Sequence, residues 1–177
     1  MNKFRILALA ALPLTLLAAA CSTTATATDD SARHALGELR DRDQITRLVD
    51  RLGRTLDEAR FDDLRTIYSA DAVARTPGGT ADGLEALVTQ VSRNHSDAHR
   101  IQHCFSDVLV DLHGDTAEVR ANAVATFSPA ADTPGRVAPE PIFTLGVVYR
   151  FDAIRTGEGW RMSRVEMSPR WSTGTRP

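Results

Sequence analysis

Arg100-Ile101-Gln102-His103-Cys104-Phe105-Ser106-Asp107-Val108-Leu109-Val110-Asp111-Leu112 is the stretch in which the spacing of apolar residues changes. Before it, apolar side chains recur at helical intervals; from it onward they alternate, as in strands with one buried face. Strict alternation puts Ile101, His103 and Phe105 on one face and Cys104, Val108, Val110 and Leu112 on the other, more continuously apolar one. A bulge near Phe105 to Asp107 would re-aim the chain, so that the imidazole and the apolar run after it share one side. We expect that bulge, and with it a histidine at the start of a sheet strand beneath helices. Cys104 then reads as a small buried hydrophobe.

Upstream, Leu36, Leu39, Ile45, Leu48, Val49, Leu52, Leu56 and Ala59 recur with the period of an amphipathic helix from Ala35 to Arg60, with Asp41 or Asp43 as candidate caps. A second short helix is predicted from Asp62 to Tyr68, and a short strand over Asp71–Arg75 ends at Thr76-Pro77-Gly78-Gly79. A third helix carries Leu84, Leu87, Val88 and Val91. His95 and His99 fall in the loop that follows and are expected to be solvated.

Downstream, Ile101–Leu112 closes at His113-Gly114-Asp115, a hairpin signal, and Thr116–Phe127 answers it with Ala117, Val119, Ala121, Ala123, Ala125 and Phe127 on one face. So many alanines on a core face leave room, either for large neighbours such as Phe105, Phe143, Trp160 and Trp171 or for a ligand cavity. Four prolines mark Ser128–Pro141 as a loop; Ile142–Ile154 and Trp160–Met167 are two more strands, joined through Thr156-Gly157-Glu158-Gly159. Helices first and strands afterwards indicate an α+β fold with an antiparallel sheet and helices on one face.

The chain has 177 residues, 42% hydrophobic and 25% charged, with a net charge of -2. That suits one globular domain with extras, and Arg interleaved with Asp and Glu argues against nucleic acid as a partner. Lys3 and Arg5, the apolar run Ile6–Leu17 and Ala18-Ala19-Ala20-Cys21 resemble a bacterial lipoprotein signal, although Ala18 stands where such signals prefer Leu. The resemblance implies a signal peptide over residues 1–20, a lipid on Cys21, a flexible tether over 21–34, a folded domain over 35–177, and export to the cell envelope with a membrane anchor. Simple secretion is the alternative. With two cysteines in the chain, a lipidated Cys21 leaves Cys104 without a disulfide partner.

Taken in order, Arg54-Thr55-Leu56-Asp57, Phe61-Asp62-Asp63-Leu64, Tyr68-Ser69-Ala70-Asp71-Ala72-Val73, Gln102-His103, Gly159-Trp160-Arg161-Met162 and Pro169-Arg170-Trp171 resemble the SnoaL-like branch of the nuclear transport factor 2-like superfamily, and within it the scytalone dehydratase-like enzymes. The resemblance implies a cone, in which three N-terminal helices pack in the concave face of a bent, mostly antiparallel sheet around an apolar pocket. It also implies homodimerisation through the outer face of the sheet. In those enzymes an aspartate on the first helix orients a histidine at the start of a strand, and Asp57 and His103 match these positions. The chemistry suits the pair, because a carboxylate fixes the tautomer of an imidazole and stabilises its protonated form.

Two departures argue against the specific scytalone reaction. Leu56 replaces the tyrosine before the helix aspartate, and the second histidine falls at Ala123, with Asn122 the nearest polar residue. Tyr68, Asn122 and Trp171 are the candidate substrate contacts. No spacing suggests a metal site or a phosphate loop, and no cofactor is implied. Two functions remain open on these residues. One is a cofactor-independent lyase or isomerase acting on a small hydrophobic molecule; the other is a non-catalytic ligand-binding or envelope-assembly module. An Arg54–Asp57 surface pair is the plain alternative to a working Asp57.

Overall fold

The computed structural model describes residues 18–93, 95–130, 136 and 140–177, with side chains from Asp29 onward. The charged start and apolar run read as an export signal, and the middle of the proline-rich loop, lie outside the described residues. Helix α1 spans Ala18–Asp57. The chain divides into a first unit that ends at Leu39 and a second, Arg40–Pro177. In the first, the backbone is helical through the Ala- and Thr-rich stretch read as a tether, where Ala is the strongest helix former. Asp29 and Asp30 pair there with Arg33 across one turn. Leu36 and Leu39, assigned to the apolar stripe by their spacing, are exposed. Among the described residues no helix is long and apolar enough to cross a membrane.

In the second unit, Ile45, Leu48, Val49 and Leu52 of α1 are buried at i, i+3, i+4 and i+7, and they form the helical part of the core. The predicted second helix is a 3₁₀ turn over Phe61–Thr66. It stops there because the next residues join the sheet: Met162 N–H donates to Ile67 C=O, and Tyr68 pairs with Met162. Strands β1 (Tyr68–Thr76) and β2 (Gly79–Asp82) form a hairpin, followed by α2 (Leu84–Arg93). Strands β3 (His99–His113), β4 (Thr116–Pro129), β5 (Phe143–Thr156) and β6 (Gly159–Gly174) form a meander.

The six strands make one bent, unclosed sheet in the order β2-β1-β6-β5-β4-β3, antiparallel except for the β1–β6 pair. This is an α+β architecture whose helices lie in the N-terminal part of the chain. Strands β4 to β6 run longer than the alternation predicts, and Trp171 lies inside β6.

The bulge in β3 is present. Ser106 pairs with Asn122 and Leu109 with Arg120, so three steps on β3 match two on β4. Asp107 takes up the extra residue at φ 49°, a left-handed conformation that Asp tolerates better than most side chains. Asn122 Nδ2 donates to Asp107 Oδ2 at 2.6 Å and secures it. The consequence is a switch of parity. Ile101, His103 and Phe105 before the bulge, and Val108, Val110 and Leu112 after it, are all partly buried on one face, and Cys104 is exposed on the other. Cys104 is therefore a surface thiol and not a buried hydrophobe, because it alternates away from His103.

The core alanines face inward, and their room is filled. Across the ladders Ala121 pairs with Tyr149, Ala123 with Phe105 and Ala125 with His103, so each small residue lies beside a large ring. Phe105 meets Tyr149 at 5.2 Å between ring centroids, and Tyr149 stacks on Phe151 at 5.6 Å.

Two local features carry testable energies. Asp41 is not a cap. It lies within α1 and accepts from both Nη atoms of Arg155 at 2.9 and 2.6 Å and from Trp160 Nε1 at 3.0 Å. Arg155 also donates through Nε to Asp115 and lies over the Trp160 ring, 4.6 Å from its centroid. These contacts tie α1 to the β5–β6 hairpin. The Arg155 hydrogen bond holds the Asp41 carboxyl below the usual carboxylate range. A depressed carboxyl contributes stability above its unfolded value, near pH 4, and loses it as pH falls through the folded value. Asp41→Asn should lower the unfolding free energy by about 1–3 kcal/mol at pH 7 in urea titrations, and the gap to wild type should shrink below pH 4. A gap independent of pH would contradict this.

At the end of α1, Arg60 N–H bonds Thr55 C=O and Ala59 N–H bonds Leu56 C=O, which is the Schellman arrangement. Ala59 occupies its left-handed position at φ 54°, where Gly is the usual residue. Ala59→Gly should therefore stabilise the fold by about 1 kcal/mol, seen as a higher urea midpoint at unchanged slope.

Candidate functional site

Asp57 is the last residue of α1, and its carboxylate reaches the free edge of the sheet at β3. Its Oδ1 lies 2.7 Å from His103 Nδ1, and the His103 backbone N–H donates to Oδ1 at 2.9 Å and Oδ2 at 3.1 Å. One carboxylate thus satisfies an edge amide and fixes a ring. With Nδ1–H donated to an anion, the imidazole presents its Nε2 lone pair on the remaining side. The His103 side chain is 10% exposed and that of Asp57 25%, so the contact is largely shielded from bulk water. The surface alternative for Asp57 does not form: Arg54 pairs with Glu58 at 2.9 Å.

Gly53 explains how α1 comes so close. A Cβ there would sit 3.1 Å from Phe105 Cδ2 and 4.0 Å from His103 Cβ, so the bare backbone lets the helix settle against β3. A glycine in a helix interior costs about 1 kcal/mol relative to Ala, offset here by the packing it permits.

His103 lines a cavity of about 910 Å³. Its wall includes Leu52, Leu56, Leu64, Tyr68, Tyr149 and Val165, with Ile101, Phe127, Phe143 and Met167. The lining is mainly apolar, as small-molecule sites are. Burial, and secondarily Tyr149, raises the Tyr68 phenol well above its ordinary range, and burial pushes Tyr149 up to about 12. Both phenols therefore keep their protons and remain hydrogen-bond donors. Among the described residues, no group of three His, Cys, Asp or Glu side chains converges as metal ligands would.

The structure brings Asp57 and His103 together, and Tyr68 lines the same cavity as His103. It does not bring Asn122 or Trp171 there. Asn122 lies between the inward-facing Ala121 and Ala123, so its side chain is on the opposite face, holding the bulge. Trp171 is 52% exposed and pairs across the ladder with Gly146, where any Cβ would meet the indole at 2.2 Å; its ring covers that glycine on the outer face. His95 and His99, expected in solvent, line the cavity, and His95 meets Phe61 edge-on at 5.2 Å. Tyr149 was missed among the candidates. Its signal was available in the alternation of β5, where it shares a face with Val147 and Phe151.

Comparison with known proteins agrees with this architecture. An uncharacterized protein of Mycobacterium tuberculosis, Rv2910c, is 28% identical over 137 residues, 76% of this chain and 89% of its own. Among solved structures, the hexachlorocyclohexane dehydrochlorinase LinA type 2 superposes with a TM-score of 0.66 at 17% identity, covering 80% of this chain and 93% of its own. A candidate scytalone dehydratase of Novosphingobium aromaticivorans superposes with a TM-score of 0.64 at 18% identity, covering 82% and 93%. At such identities these two structures speak to fold alone. The pattern of the SnoaL-like domain matches residues 37–166, which contain the second half of α1, strands β1 to β5, the first half of β6 and the Asp57–His103 pair, and the chain belongs to the SnoaL-like domain family.

Proposed function

We propose that this protein is a cofactor-independent lyase or isomerase acting on a small, largely apolar molecule, with His103 as general acid/base and Asp57 as its orienting carboxylate. The observation that carries the reading is the 2.7 Å contact between Asp57 Oδ1 and His103 Nδ1 on a ring that lines an apolar cavity. His103 Nε2 removes a proton from a carbon beside an electron-withdrawing group. The electron pair moves toward that group, and a Tyr68 or Tyr149 hydroxyl donates a hydrogen bond to the oxygen on which charge develops. The imidazolium then returns the proton, to a leaving group in an elimination or to another carbon in an isomerisation. Dehydrochlorination and dehydration, the reactions named for the two structural neighbours, both remove a proton and a leaving group, and one positioned base serves either.

The rival reading is a non-catalytic binding module. It is favoured by Leu56 and Ala123, which leave the pocket without a further phenol and a second imidazole at those positions.

A screen of small enones, hydroxy-ketones and epoxides separates the two. His103→Asn should lower turnover by about 10²- to 10⁴-fold with an unchanged circular dichroism spectrum. A binder shows no turnover in either protein. Asp57→Ala should also destabilise the fold by about 1–3 kcal/mol, because the His103 amide loses its acceptor, whereas Asp57→Asn keeps an acceptor there and should cost less. Equal stability of the two Asp57 variants would contradict that account of the amide.

We also propose export and lipid anchoring through Cys21, supported by the positive start, the apolar run and the small residues before this cysteine. Cys21→Ser should move the protein from the membrane fraction to the soluble one. A wild-type protein that is already soluble after processing would leave export without a lipid.

A further inference from the structure

The titratable side chains of the cavity lining are His103 and the two phenols on one part of the wall and His95, His99 and Arg176 on another, with Thr76, Gln90, Ser96 and Ser172 as the neutral polar ones. No Asp or Glu side chain lines the cavity among the described residues. Asp97, on the turn between the two mouth histidines, is exposed and outside the lining. None of the three mouth side chains has a hydrogen bond or ion pair with another described residue; the His95 ring meets the Phe61 ring edge-on. A guanidinium and two imidazoles therefore rim an apolar cavity whose lining, among the described residues, includes no Asp or Glu side chain.

The sheet ladder fixes where these groups lie. Ile101, Phe127, Phe143 and Gly174 pair in one row across β3, β4, β5 and β6, and the Phe127 and Phe143 rings meet at 5.6 Å. His99 lies two residues before that row on β3, and Arg176 two residues beyond it, past the end of β6. Both are at the same end of the sheet, on either side of the mouth, and Thr175 N–H bonds Ile142 C=O to hold the last residues there. His103 lies two residues to the other side of the row. His99, Ile101 and His103 share a face, so the mouth histidine and the candidate base are separated by four residues of strand, about 13 Å. Between them the wall is Ile101, Phe127, Phe143 and Leu145.

We infer that the ligand is an elongated apolar organic acid, with its carboxylate at the mouth facing Arg176 on one side and His95 and His99 on the other, and its reacting end about 13 Å deeper at His103. This rests on the cavity reading above and names the substrate class for it. A carboxylate suits the rim because imidazole and guanidinium N–H groups form charge-assisted hydrogen bonds with it, and no Asp or Glu side chain of the lining opposes it. The apolar body fills the section walled by the two phenylalanines. An acid of this kind is anchored by one end, which presents the other end to a single base in one orientation.

Biphenyl-4-carboxylate and biphenyl-4-carboxamide, near in shape and different in charge, provide the test by calorimetric titration of the full chain. The acid should bind about tenfold more tightly than the amide, and added salt should narrow the difference. Arg176→Gln and His99→Gln should each reduce the preference. The double variant should bring the two ligands within about twofold, with the amide affinity unchanged as the control for folding. His103→Asn should keep the preference even where turnover is lost, so failure of the catalytic reading and failure of this one are separable. Equal affinity for acid and amide in the wild type, or a preference that survives the double variant, overturns the inference and leaves the cavity. If neither probe binds, the cavity reading falls and this inference falls with it.

Discussion

The single extra residue in β3 is the constraint on which the rest depends. An unbulged strand of this sequence could bury Ile101, His103 and Phe105 or Val108, Val110 and Leu112, but not both sets, because side chains alternate strictly along a strand. Placing Asp107 at φ 49° resets the parity between them. The first half of the strand can then line a cavity while the second half packs on the helix and its neighbours. Asn122 is spent on that bulge, donating to Asp107 from the opposite face, and so has no part in the cavity.

Several locally unfavourable choices converge on the same few ångströms. Asp57 ends a helix, where the dipole disfavours a carboxylate. Ala59 takes the left-handed position that Gly normally fills, and Gly53 lies mid-helix. Each costs a fraction of a kcal/mol to about 1 kcal/mol on its own. Together they deliver one carboxylate to the edge amide and ring of His103, and they let α1 lie against Phe105. Local rules broken at a site and kept elsewhere are what function leaves in a structure.

Much of this was legible in the residues. The change of apolar spacing at Ile101 marks the passage from helices to sheet, and the hairpins at Gly114 and Gly157 lie where the turn residues indicate. The conflict of parity within β3 is itself the signal of the bulge. The Asp57–His103 contact followed from the resemblance and not from spacing, since 46 residues separate them and no local pattern connects helix end to sheet edge. What was not legible depended on tertiary register. Trp171 looked available because the sixth strand was ended too soon, at Met167; carried on to Gly174, it puts the indole over Gly146 on the outer face. Asp41 looked like a cap because its partners, Arg155 and Trp160, lie more than a hundred residues away. His95 and His99 looked solvated because nothing in a loop sequence reveals what the sheet brings opposite it.

The alanines of β4 account for the division of labour along the cavity. Their methyl groups lie beside His103, Phe105 and Tyr149 in the ladders, so the inner end is a close-packed set of small and large partners with little freedom to adjust. His103, fixed there by Asp57, is therefore held on rigid elements, which is what the proposed acid/base role needs. The outer end is made differently, from the turn at Pro77 and Gly78, the segment around His95 and Ser96, and the last residues of the chain. Turns and chain ends accept changes of side chain at little cost to the core. Under the proposed function, selection of the ligand varies at the mouth while His103 at the inner end stays fixed by packing.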